Sequence, residues 1–239
     1  MEIREPQRLD FAKAMENVRR NMFFRGIERS NNLLDFNEND LRTFMREIGK
    51  RFVPNFILDE ENSDVYENVR RWADARPFTC LDPGNPKNKI PGDPTKGLYI
   101  CGPTGSGKSI LVAVVNAYLS ALYAKIKVGD SVENLTWESR RSDEICIEYA
   151  KTGDLTQFSK ARVLCIQDIG SEQKETIYMG NRVEVIRTIL EYRGDRSNLM
   201  TILTSNDRIS EGRYGERVKS RLYEMCNYFE LVGKDRRIR

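Results

Sequence analysis

Histidine is absent from this chain of 239 residues. No imidazole is available for acid–base catalysis, and a zinc site would need cysteine or carboxylate ligands alone. The cysteines do not supply one. Cys80, Cys101, Cys146, Cys165 and Cys226 are odd in number, scattered, and never in a C-x-x-C pair. Cys101 and Cys165 lie in apolar strand-like runs, where cysteine acts as a small hydrophobe. No disulfide framework is expected, and a cytoplasmic location is. Long apolar runs are missing too: none approaches the ~20 residues that span a bilayer, so no membrane association is expected. The opening residues MEIREPQRLD lack the apolar stretch of a secretory signal. Net charge is small. The 39 basic and 36 acidic residues leave +3, which does not indicate nucleic acid but leaves room for a local basic patch.

With 39% apolar and 31% charged residues, the chain reads as a well-solvated globular protein. Its length suits one α/β core of roughly 150–200 residues and a smaller appendage. A proline- and glycine-rich run, LDPGNPKNKIPGDPTKG (81–97), divides it. Such a run resists helix and central strand, so 81–96 is expected as a linker or long surface loop. Residues 1–80 are expected to be mainly helical. LDFAKAMENVRRNMFF (9–24), ENDLRTFMREIGKRF (38–52) and VYENVRRWADA (65–75) carry helical apolar spacing. This region is either a partner-binding module or an ordinary appendage.

From 97 to 239 strands and helices alternate. GLYIC (97–101), RVLCIQDIG (162–170), LMTILTSND (199–207) and YFELVG (228–233) read as strands, and NLTWESR (134–140) as another. Helices are expected at 108–124, at 142–154 with a stop at Gly153, at 180–195 and at 212–226. The alternation predicts an α/β fold, with a mostly parallel sheet between helices and ligands at the carboxyl ends of the strands.

GPTGSGKS fits the P-loop pattern G-x-x-x-x-G-K-[ST] at every fixed position, with a strand before it and a helix after it. Gly102, Gly105 and Gly107 let the backbone bend so that successive N–H groups face one phosphate chain; Pro103, Thr104 and Ser106 complete the loop. The helix starting near Lys108 adds its positive end. Lys108 brings a full charge to the β- and γ-phosphates, and Ser109 a hydroxyl to Mg²⁺. ATP with Mg²⁺ is the expected ligand. A P-loop NTPase also needs an acid at the end of a neighbouring buried strand. Here Gln167 follows VLCI, and Asp168 follows Gln167. Asp168 takes either the metal role or the catalytic-base role, and Glu172 is close enough in sequence to contribute. In LTSND, Asn206 at a strand mouth can hydrogen-bond an attacking water or the γ-phosphate. YGERVKSRL puts Arg217 and Arg221 four residues apart on one helix face, and KDRRIR (234–239) closes the chain.

Taken in order, KGLYICGPTGSGKS, LCIQDIGSE, the GN…LEYR helix, ILTSND, and YGERVKSRL followed by GKDRR resemble AAA+ ATPases of the DnaC type, the bacterial helicase loaders, and the related IstB-type transposition ATPases. The resemblance covers about 94–239. It implies an AAA+ RecA-like sheet with a reduced or absent lid. It makes Lys108 and Ser109 the phosphate and metal residues, Asp168 the second of a paired-acid segment, and Asn206 the first sensor. Arg221 becomes the arginine finger, with Arg217 as runner-up, and Arg237 the second sensor. Gln167 stands where the family's metal-binding Asp is expected. The partners implied are DNA (single-stranded first), a replicative helicase or a transposase, and further copies of the chain in an ATP-dependent oligomer. Two rivals stand beside an ATP-dependent loader: a nucleotide-gated assembly protein with little turnover, favoured by Gln167, and a small-molecule kinase, which leaves the paired arginines unexplained.

Overall fold

In the computed structural model, residues 27–30, 36–233 and 235–236 are described. The expected helix at 9–24 lies outside them. In chain order the elements are β1 (Glu28–Ser30), α1 (Glu38–Phe52), α2 (Ser63–Ala73), β2 (Thr79–Asp82), β3 (Asn85–Pro91), β4 (Gly97–Cys101), α3 (Lys108–Ala121), β5 (Lys125–Val128), β6 (Ser131–Asn134), β7 (Ser139–Arg141), α4 (Ser142–Thr152), α5 (Thr156–Lys160), β8 (Val163–Ile169), β9 (Thr176–Tyr178), β10 (Asn181–Val183), α6 (Val185–Gly194), β11 (Met200–Ser205), α7 (Glu216–Met225) and β12 (Cys226–Glu230).

The most continuously apolar runs form the inner strands, because a strand covered on both faces has no side to leave polar. Every residue of β4 and β11 is buried. Seven strands form the main sheet, in the order β3-β2-β12-β4-β11-β8-β7. From β12 to β7 neighbours run parallel; β2 and β3 are antiparallel additions. This is the expected α/β P-loop architecture. Alternate strand residues divide between two cores. Leu98, Ile100, Cys165 and Ile202 meet Leu111, Val115 and Leu119 of α3. Tyr99, Leu164, Ile166 and Leu203 meet Ile145 of α4, Ile189 of α6 and Val218 of α7. α4 ends as expected, with Gly153 in the left-handed conformation at φ 69°. Among the described residues no helix is long and apolar enough to cross a membrane.

Three local expectations are corrected. The linker at 81–96 is instead a sheet edge. β2 pairs with β12 on one side and β3 on the other, and the turn is held by the Asp82 carboxylate accepting from the Gly84 N–H at 2.8 Å. Pro86 and Pro91 are tolerated because β3 is the outermost strand, with no ladder to complete beyond it. The strand expected at 134–140 is split. β6 ends at Asn134 and β7 starts at Ser139, with Trp137 between them held to Asn116 by its N–H and carbonyl at 3.1 and 2.8 Å. The helix expected from 180 begins at Val185. Met179 and Gly180 have φ of 47° and 83°, which closes β9 and β10 into a hairpin by a two-residue turn.

The N-terminal helices are not separate from the sheet. Leu41, Met45, Val69 and Trp72 share the α3 core, and Phe44 meets Tyr118 at 5.8 Å between ring centroids. The segment joining α1 to α2 thereby lies beside the start of α3.

Candidate functional site

The loop between β4 and α3 has the backbone its glycines predict. Gly102, Gly105 and Gly107 all have positive φ, at 149°, 79° and 98°, where a side chain is strained. Gly107 is the N-terminal cap of α3 and offers no side chain, so the helix's first N–H groups open towards the loop. Lys108 is 5% exposed. Its ammonium donates to the Gly102 and Pro103 carbonyls at 2.7 and 3.0 Å and to Asn206 Oδ1 at 2.9 Å. The P-loop lysine and the polar residue after β11 are thus brought together. Ser106 Oγ is buried with no hydrogen-bond partner, a hydroxyl left for an oxygen-rich ligand.

A cavity of about 940 Å³ opens over this loop. Residues 104–109 form its floor, and Asp168, Ser171, Asn206 and Arg141 its polar end. The α1–α2 segment and Tyr66 of α2 add a mainly apolar lining, Val53, Pro54, Phe56, Ile57 and Tyr66, beside Asn55 and Asn62. Phe56 and Tyr66 pack edge to face at 5.5 Å. Polar floor, charged end and aromatic wall together suit a phosphate chain carrying an aromatic base.

No protein-family model matches the chain. No curated protein sequence matches it either. Several solved structures are similar. The crystal structure of DnaI shares 20% identity at a TM-score of 0.42, over 86% of this chain and 89% of that one. AMPPCP-bound DnaA from Aquifex aeolicus shares 17% at 0.47, over 74% of this chain and 49% of that one, so this chain spans about half the DnaA. The DnaC helicase loader shares 25% at 0.42, over 59% of this chain and 79% of that one.

The acidic candidates differ in where they lie. Asp168 lines the cavity and Gln167 does not. Asp168 Oδ2 lies 4.0 Å from the Arg141 guanidinium, which is itself bound to Asp143; that bond and the two carboxylates raise the Arg141 pKa above its ordinary value. Glu172, considered from sequence as a contributor, does not line the cavity. It is turned into the protein against Arg213, Tyr214 and the Gly170 N–H. With one carboxylate and the exposed Ser109 at the phosphate end, the residues present fit Mg²⁺ held jointly with phosphate oxygens, since that ion commonly takes one or two carboxylates and completes its shell from phosphate and water.

The arginines are redistributed. Arg237 lies outside the described residues. Its neighbour Arg236 lines the cavity, with its backbone N–H on the Gly105 carbonyl at 3.0 Å. Its guanidinium donates to Asp59 at 2.8 and 2.9 Å and to Glu61 at 3.4 Å, and the Asp59 bonds raise its pKa despite partial burial. Arg221 does not line the cavity; it is bound to Asp195, Nε to Oδ1 at 3.1 Å. Arg217, one turn earlier, is exposed. Sequence reasoning missed Arg141, Arg236 and the 53–66 wall. The KDRR run pointed within one residue of Arg236, but nothing local marks a wall some fifty residues upstream of the loop it faces.

Proposed function

We propose that this chain binds ATP with Mg²⁺ in the cavity over residues 102–109 and acts as a DNA-associated AAA+ ATPase. The observation that carries the nucleotide reading is the buried Lys108 at the start of α3, under a glycine-bent loop that faces both Asp168 and an aromatic wall. In this reading loop N–H groups and Lys108 bind the β- and γ-phosphates. Ser106 donates its spare hydroxyl, and Ser109 and Asp168 hold the metal. When bound, Mg²⁺ neutralises charge on the phosphate oxygens. Asn206 orients water at the γ-phosphate, and the 53–66 wall shields the base.

The motif set 168–170, 203–207 and 214–222 supports a role as a replicative helicase loader, or alternatively in transposition. The partners would be single-stranded DNA and a ring helicase or a transposase, reached through an ATP-dependent homo-oligomer and gripped by the N-terminal region. A nucleotide-gated assembly with little turnover is the second reading, and Gln167 is the residue that favours it.

Lys108→Ala tests the site. ATP affinity, read by calorimetry, should fall about tenfold or more through loss of a charge-assisted contact, with the far-ultraviolet circular dichroism unchanged. Unchanged affinity would remove the assignment. Steady-state hydrolysis with and without single-stranded DNA separates the two readings: stimulation supports the loader, and negligible turnover with retained binding supports the gate.

A further inference from the structure

Asp168 stands in left-handed backbone, at φ 55°, and Gly170 two residues later at φ 94°. A non-glycine residue stays there only where its surroundings over-determine it. The Asp168 N–H donates to Thr204 Oγ1 at 2.9 Å. The Ser142 and Ser171 hydroxyls donate to its carbonyl at 2.9 and 2.6 Å. The turn is then closed by one carboxylate. Glu172, its side chain 2% exposed, accepts from the Gly170 N–H at 2.9 Å and from the Tyr214 hydroxyl at 2.8 Å, and is ion-paired with Arg213. The Gly170 N–H is shared with Tyr214 Oη at 2.8 Å, and Arg213 also reaches the Glu172 carbonyl at 2.5 Å.

In the Glu172–Arg213 pair the carboxylate is buried and the arginine side chain is 34% exposed; a buried carboxylate left without its partner is costly, so the two stay together. The pair joins the Asp168 turn to residues 213–214, which do not line the cavity. We propose that Glu172 is a positioning residue, which holds the 168–172 turn through Gly170, Tyr214 and Arg213 so that the Asp168 carboxylate faces the metal end of the cavity. The proposal rests on the reading of that cavity as a Mg²⁺–nucleotide site. It differs from a simple role in holding the fold together, which would weaken every ligand state alike. A positioning role acts only on what Asp168 supplies.

The test is the affinity of the full chain for ATP, measured by calorimetry with Mg²⁺ and with EDTA, and expressed as the ratio of the two. Glu172→Gln keeps the shape and an acceptor but removes the charge that holds Arg213. It should lower the ratio about tenfold, the usual scale for losing a group that orients a metal ligand, with the EDTA affinity within about twofold of wild type. Asp168→Asn should lower the ratio as much, and the double variant no further, because both remove the same contribution. Tyr214→Phe, which leaves the carboxylate in place, should lower it less; it carries the test if Glu172→Gln does not fold. An unchanged ratio in the variants that fold overturns the proposal, as does an equal loss with Mg²⁺ and EDTA or an additive double variant. Absence of ATP binding by the wild-type chain would overturn the nucleotide reading instead. Binding that ignores Mg²⁺ would remove the metal assignment and this proposal with it.

Discussion

Asp168 owes its place to one extra residue. Leu203 of β11 is in register with Ile166 of β8, yet Ser205 is in register with Ile169, so two residues of β8 stand opposite one of β11. Such a bulge re-aims a side chain, and this one falls on Gln167 and Asp168. Counting along the sequence left the metal and base roles open between positions. The bulge brings Asp168 to the cavity and leaves Gln167 half-buried behind its lining. Asp168→Asn should therefore abolish most of the Mg²⁺ dependence of ATP binding, while Gln167→Asp changes it by less than about twofold. A clear gain on Gln167→Asp would place the metal at 167. The cysteines make a second residue-scale case. All five are buried, and burial pushes the Cys101 thiol up to about 11 and those of Cys165 and Cys226 up to about 12. A raised thiol pKa leaves little thiolate at pH 8, and the thiolate is the reactive form. Iodoacetamide at pH 8 should leave these three unmodified in the native chain and label all five cysteines after denaturation, as counted by intact mass.

Between elements, the contact with the clearest pH signature joins α1 to α2. Arg70, its side chain 1% exposed, is ion-paired with Glu38, Glu67 and Asp74, and Asp74 accepts from the Tyr118 hydroxyl of α3 at 2.7 Å. Burial alone would raise the Glu67 carboxyl, but hydrogen bonds from Arg70, Arg42 and Arg71 outweigh it and hold the group well below the usual carboxylate range. A depressed folded pKa gives stability that is present above the unfolded value of about 4.3 and is lost as pH falls towards the folded one. Asp74 goes the other way: burial pushes its carboxyl up, against Tyr118 and Arg70. Arg70→Met should cost about 3–5 kcal/mol at pH 7, because it strands a buried carboxylate. Glu67→Gln should flatten the loss of stability between pH 4 and about pH 2; urea titrations at pH 7 check the first, and a series from pH 4 to about pH 2 the second. These pairings also show what a sequence discloses. The amphipathic spacing of ENDLRTFMREIGKRF, the glycines of GPTGSGKS and the apolar runs of β4 and β11 are local signals, and each element formed where they pointed. The β2–β3 hairpin was hidden because proline is excluded from central strands but not from an edge, and edge position is decided by topology. The wall at 53–66 was hidden for the same reason, since its partner loop is chosen by how α1 and α2 dock on α3.

At the scale of the whole molecule, the proposed ATP-dependent oligomer asks one arginine to reach a neighbouring copy. Neither Arg217 nor Arg221 lines the cavity of its own chain, so contact with a γ-phosphate requires a second subunit. The resemblance favoured Arg221. In the structure the aliphatic stem of Arg221 lies over Gly194, its side chain is 15% exposed, and its guanidinium holds the Asp195 carboxyl below its ordinary pKa. Turning it outward would break that pair and uncover the stem. Arg217 lies on the same helical face, one turn nearer the start of α7, and is exposed. It can meet a partner without giving up a partner of its own of that strength. Arg217→Ala should therefore abolish ATP-dependent oligomers, read by light scattering with a non-hydrolysable ATP analogue. Where the chain hydrolyses ATP, turnover should fall by a factor of ~10³, the scale of a lost arginine finger. ATP affinity of the isolated chain should stay within about twofold, because a residue acting in trans does not serve its own subunit's nucleotide. Arg221→Ala should leave assembly intact and lower thermal stability, through loss of the Asp195 pair and of the stem packed over Gly194. The reverse pattern would return the role to Arg221. If both variants assemble like the wild type, α7 does not face the neighbouring copy, and the loader reading loses the support of the 214–222 motif.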